Sequence, residues 1–118
     1  MNLGNYDYDG RCLRFEPRGS DEKVVEFRWP IAEVLAFDKC LVIRTSPDPG
    51  ICENQNVHAV DFKGNVIWTV KNRKHVYEDS PYTKISIENG MLKLFNWDGL
   101  NLTVDPINWR EVSAEYGR

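Results

Sequence analysis

Apolar and polar positions alternate along this chain in short runs. They fall at Arg11–Glu16, Lys23–Arg28, Ile31–Phe37, Lys39–Arg44, Val57–Phe62, Asn65–Val70, Lys84–Glu88, Met91–Asn96 and Leu100–Asp105. A period of two is the signature of strands with one buried face. Turn signals separate the runs: Gly19-Ser20-Asp21, Asp38-Lys39, Pro47-Asp48-Pro49-Gly50, Lys63-Gly64-Asn65, Glu88-Asn89-Gly90 and Trp97-Asp98-Gly99. The pattern predicts an all-β domain, mainly an antiparallel meander. Its clearest hairpin turns at Asn89-Gly90, two residues that tolerate the positive φ of a tight primed turn.

Two regions compete with that reading. Pro30–Phe37, "PIAEVLAF", places Pro at a possible first helical position and Ile31, Val34 and Leu35 on one helical face. Strand-like runs on both sides favour a strand or bent strand, so at most one short helix is expected. Beyond Pro106, Trp109–Val112 is expected to pair back as a short strand, and the polar stretch Ser113–Arg118 to fray. Thr45–Asn56 and Lys71–Thr83 read as long loops, which in a compact domain are commonly functional.

The alternation also repeats. Val60-Asp61 and Val104-Asp105 each end a strand before a turn and a further strand, with the aspartates 44 residues apart. Tyr8-Asp9-Gly10 and Trp97-Asp98-Gly99 echo one another 89 residues apart, close to two such periods. The segments "VHAVDFKGNVIWTV" and "LFNWDGLNLTVDPINWREV" resemble the pyrroloquinoline-quinone-type β-propeller repeat over roughly 56–70 and 84–112. They depart from it at Asn108-Trp109, where that repeat has Gly and an aliphatic residue, and nothing matches a quinone site. The resemblance implies blade-like hairpins. Yet 118 residues supply fewer than three blades of this period, and a closed propeller needs about four. The expectation is therefore one domain over 1–118, a small β-sandwich or curved sheet with a blade-like C-terminal half. Its N-terminal strands would pack on the C-terminal meander.

Composition narrows the function classes. Fifteen basic against eighteen acidic residues give a formal charge of −3 and a pI near 5.4. That argues against nucleic acid as a partner, because phosphate binding needs a positive field. Met1–Asp7 shows neither the basic nor the apolar region of a secretory signal, and no run approaches a membrane span. A cytoplasmic protein with reduced Cys12, Cys40 and Cys52 is expected.

Chemistry is sparse. His58 shares a strand face with Val60 and Phe62, and His75 sits in a basic turn. A cluster of both histidines with a carboxylate in one cleft would point to an enzyme. No spacing ties them together, and no phosphate loop, nucleophile elbow or metal motif is present, so no cofactor, metal or catalysis is expected. Asp61, Asp98 and Asp105 read first as turn-closing carboxylates. Tyr77, Glu78, Asp79 and Tyr82 place carboxylates beside tyrosines on a predicted loop, with Asp48 and Glu53 on the other loop and Trp97-Asp98 at a turn. Such residues can steer and anchor a basic partner.

In size, acidity and β-rich character the chain looks like the small immunity proteins of contact-dependent inhibition and related bacterial toxin systems. That resemblance implies a 1:1 complex with a cognate, basic, nuclease-type toxin, whose active site the protein would occlude. The alternative is a β domain binding a small ligand or carbohydrate, with Trp29, Trp97 or Trp109 as a stacking platform.

Overall fold

The computed structural model describes residues 3–117; residues 1, 2 and 118 of the expected domain lie outside it. Among the described residues, eleven strands follow one another: β1 (Leu3–Asp9), β2 (Cys12–Pro17), β3 (Lys23–Glu26), β4 (Ile31–Ala36), β5 (Cys40–Thr45), β6 (Val57–Asp61), β7 (Val66–Thr69), β8 (Tyr82–Glu88), β9 (Met91–Asn96), β10 (Leu100–Asp105) and β11 (Arg110–Tyr116). The all-β expectation holds, and "PIAEVLAF" forms strand β4. The strands make three antiparallel meanders, β1-β2-β3, β4-β5-β6-β7 and β8-β9-β10-β11. β1 lies N-terminal to every predicted run. β11 extends through Tyr116, so residues 113–116 of the stretch expected to fray are paired with β10.

The sheets stack, and two hydrophobic clusters show the order. Leu3, Leu13, Phe15 and Phe27 of the first meander and its exit pack on Ile31, Leu41, Ile43 and Val60 of the second. Cys40, Val42, Val57 and Ala59 on the opposite face of the second meander pack on Ile85, Leu92, Leu94, Leu102 and Val104 of the third. The N-terminal strands thus cover the middle sheet and not the C-terminal meander, which corrects the expected packing. Both faces of β5 are covered. That is why Cys40-Leu41-Val42-Ile43 is an unbroken apolar run rather than an alternating one.

The outer faces of the first and third sheets carry polar and charged side chains. On the first sheet, Asp7 pairs across from Arg14, which pairs with Val24, and Cys12 stands opposite Glu26. On the third, Lys84 and Asn101 flank Phe95, and Lys93 Nζ donates to Thr103 Oγ1 at 2.7 Å.

The 44-residue echo is structural. Asp61 Oδ1 accepts from Lys63 N and Asn65 N, and Asp105 Oδ1 accepts from Ile107 N; each closes the turn after the third strand of its meander. The first turn uses Gly64 at φ 90°, whereas the second puts Trp109 at φ 59°. A bulky residue there costs on the order of 1 kcal/mol. Stacking of Trp109 on Trp68, with centroids 4.9 Å apart and planes 20° from parallel, offsets it. Asn89 and Gly90, at φ 53° and 75°, form the expected primed hairpin turn.

Because every strand reverses direction, connections fall alternately at the two ends of the stack. One end carries only compact turns, at 18–22, 37–39, 62–65, 89–90 and 106–109. The other carries both long loops, 46–56 and 70–81, with the 97–99 turn and the end of β11.

Candidate protein-binding surface

Four side-chain amides make one surface of the two long loops. Asn54 donates from Nδ2 to Glu78 O (2.8 Å) and accepts Ser80 N at Oδ1 (2.8 Å). Asn56, fully buried, donates to Thr45 O and Tyr82 O and accepts Tyr82 N, at 2.8–2.9 Å. Asn96 donates to Ser80 O and accepts Asp98 N, while Gln55 Nε2 donates to Val70 O. Cys52 Sγ lies 3.3 Å from Glu78 O. Loop backbone cannot satisfy itself as a sheet does, so these amides supply the missing partners. Sequence reasoning overlooked them; the amide-rich run Asn54-Gln55-Asn56 inside a loop was their only signal.

Asp98 fastens the other side. Its Oδ2 meets His75 Nδ1 at 3.0 Å, Val76 N at 3.1 Å and Tyr116 OH at 3.1 Å, and its Oδ1 accepts Leu100 N at 3.0 Å. Desolvation pushes its pKa upward. The bonds from Leu100, Val76, His75 and Tyr116 outweigh that and hold the carboxyl below its ordinary range. Above this buried hub stand Val76, Tyr77, Trp97 and Tyr116, all more than half exposed.

The expected partner-binding residues divide accordingly. Tyr77, Glu78 and Asp79 are exposed on the 70–81 loop, Asp48 is exposed on the 46–56 loop, and Trp97 caps the β9–β10 turn. Asp98 is buried beneath them as their organiser. Tyr82 is a correction: it is 1% exposed, in strand β8 and in the core, where its edge-on ring meets His75 at 6.1 Å between centroids. Alternation within β8 turns its ring inward, away from the exposed surface. Burial pushes its hydroxyl up to about 12.

Glu53 faces a different space. A cavity of about 270 Å³ is lined by Phe27, Arg28, Trp29, Glu53, His58 and Thr69, among others. His58 stacks on Phe27 (5.5 Å, 28°), and its Nδ1 lies 2.8 Å from Thr69 Oγ1. Burial lowers its pKa, against the pull of Glu53. His58 and His75 therefore belong to separate clusters, one against Phe27 and Thr69, the other against Asp98 and Tyr82. The tryptophans likewise separate: Trp97 is exposed, Trp109 is stacked on Trp68, and Trp29 is half-buried at this cavity under Arg28 (5.0 Å).

Among the described residues no group of three or more His, Cys, Asp or Glu could hold a metal ion, and no helix is long and apolar enough to cross a membrane. A family model, "Domain of unknown function (DUF7957)", matches residues 3–115, spanning all three sheets. The chain belongs to the DUF7957 family. No curated protein matches it significantly.

Proposed function

We propose that this DUF7957 domain is a non-enzymatic, cytoplasmic protein-binding domain, most concretely an immunity protein that neutralises a basic, nuclease-type toxin. One observation carries the reading. Side-chain amides clamp loop 46–56 to loop 70–81; Val76, Tyr77, Asp48, Glu78 and Asp79 are exposed on these loops, and Trp97 and Tyr116 on the turn and strand end at the same end of the stack. Preordered loops lose little conformational entropy on association, and aromatic anchors beside charged rims are the usual composition of binding hot spots. The acidic side, together with the net charge of −3, favours fast encounter with a basic surface. Lys71 and Lys74 at the other end of the 70–81 loop would orient that encounter.

The test is co-expression and pull-down with the product of the neighbouring upstream reading frame. Tight 1:1 binding that weakens with salt, with growth rescued, supports the reading. Replacing Tyr77 and Trp97 together by Ala should weaken such a complex at least about tenfold without disturbing the fold. No binding by the neighbour, or binding indifferent to both aromatics, would overturn it.

A second reading rests on the cavity beside His58. Phe27, Trp29 and the imidazole give it aromatic walls, and Arg28 and Glu53 supply polar groups, as small-ligand sites require. Its test is a screen of monosaccharides and planar heterocycles by tryptophan fluorescence, with Trp29→Phe as the control. A quench lost in Trp29→Phe supports that reading; an unchanged signal refutes it.

A further inference from the structure

Beside the exposed aromatics, on the same end of the stack, a slot of about 240 Å³ opens between segments 46–51 and 79–83. Pro47, Pro49, Ile51 and Pro81 are among its lining, with Asp48 and Asp79. That volume has room for one long side chain.

The backbone groups of Thr45 and Tyr82 beneath it and the Arg44 guanidinium are already satisfied. Thr45 O and the backbone N–H and C=O of Tyr82 are held by the Asn56 amide. The Arg44 guanidinium is paired with Glu33, whose Oε2 also accepts Ile85 N. Among the described residues, Asp48 and Asp79 form no salt bridge. Asp79 also belongs to a wider negative field: partial desolvation and then the carboxylates of Asp79, Glu78 and Glu53 push the pKa of the nearby Cys52 thiol upward. The slot therefore offers apolar walls, a neutralised floor and unpaired negative charge.

We propose that this slot is a socket for an arginine side chain of the protein partner. The inference rests on the protein-binding reading and names the chemistry of one anchor. Arginine suits the walls because its stem packs on apolar surface and its flat, weakly hydrated guanidinium can lie against proline rings while reaching carboxylates. Lysine, a compact and strongly hydrated charge, fits less well. A neutral apolar side chain would leave both aspartates without a partner.

The experiment needs no partner. The isotopically labelled protein is titrated with N-acetyl-arginine-methylamide and, separately, with N-acetyl-norleucine-methylamide, following backbone amides by NMR. Arginine amide should shift the amides of Ser46, Asp48, Gly50, Ile51, Asp79, Tyr82 and Thr83, saturating in the millimolar range and weakening in salt. The norleucine compound should shift them at least about tenfold less. Asp48→Asn combined with Asp79→Asn should abolish the arginine response while leaving the rest of the spectrum unchanged. Equal response to both probes, shifts elsewhere, no shifts, or survival of the response in the double variant overturns the socket. Should the slot stay silent while the pull-down succeeds, the socket falls and the protein-binding reading stands. Should the slot respond while no partner is captured, the socket survives as a site and the reading around it falls.

Discussion

His75 Nδ1 lies 3.0 Å from Asp98 Oδ2, with 1% and 0% of the two side chains exposed, and this contact ties the 70–81 loop to the β9–β10 turn. Twenty-three residues separate the partners, and neither lies inside a strand. Replacing Asp98 by Ala would strand the donors of Val76, Leu100 and Tyr116 as well as the imidazole. A loss of about 3 kcal/mol is expected in denaturant unfolding. Because the folded-state pKa of Asp98 is lowered, its contribution is present above the unfolded value near 3.8 and fades as pH falls through the folded one. Stability measured against pH should therefore drop more steeply below about pH 4 in the native protein than in Asp98→Asn.

His58 sets a second and higher pH window. Its pKa is lowered by burial, so an unfolded chain takes up a proton near pH 6.5 that the folded chain refuses. Stability should then fall as pH drops from about 6.5 toward the folded value, and His58→Gln should flatten that segment of the curve. Thermal melts at half-unit pH steps would show it. An unchanged slope in the variant would remove His58 as the cause.

The core position of Tyr82 makes a sharp contrast between two variants. Its hydroxyl is buried and has no hydrogen-bond partner among the described residues. Tyr82→Phe should melt at or slightly above the native temperature, because it removes a desolvated polar atom and keeps the ring. Tyr82→Ala should cost about 3–5 kcal/mol through the cavity it leaves.

Asn54 and Asn56 should separate function from stability. Asn56 holds three backbone groups in the interior, so Asn56→Ala should lose about 2–4 kcal/mol on chemical denaturation. Asn54 holds the backbone of Glu78 and Ser80 near the surface. Asn54→Ala should cost about 1 kcal/mol or less, yet raise hydrogen exchange across Glu78–Ser80 and weaken partner binding. Equal destabilisation by both variants would contradict this division.

Nearest-neighbour chemistry made much of this legible in the one-dimensional pattern. Leu100, Leu102 and Val104 announce β10 because a strand with one face in the core must alternate. Asn89-Gly90, Asp61 and Asp105 announce their turns because each meets a local backbone need. β1 was silent, since Leu3 alone of its residues is buried and an exposed edge strand imposes no pattern.

What the amino-acid order alone determined is thus the β class, the turns and the two long loops, all set by contacts within about a dozen residues. Which meander covers which depended on long-range burial. The same alternation fits the first sheet against either neighbour, until both faces of Cys40–Ile43 must be hidden. The fate of Tyr82 and Asp98 was decided in the same way. A tyrosine or an aspartate near a loop carries no mark of burial; packing of the second sheet on the third hid Tyr82, and the 70–81 segment bonded to Asp98 covered its carboxylate. Tertiary packing selects one partner per group from many of equal local merit, and that selection is where the candidate surface was made.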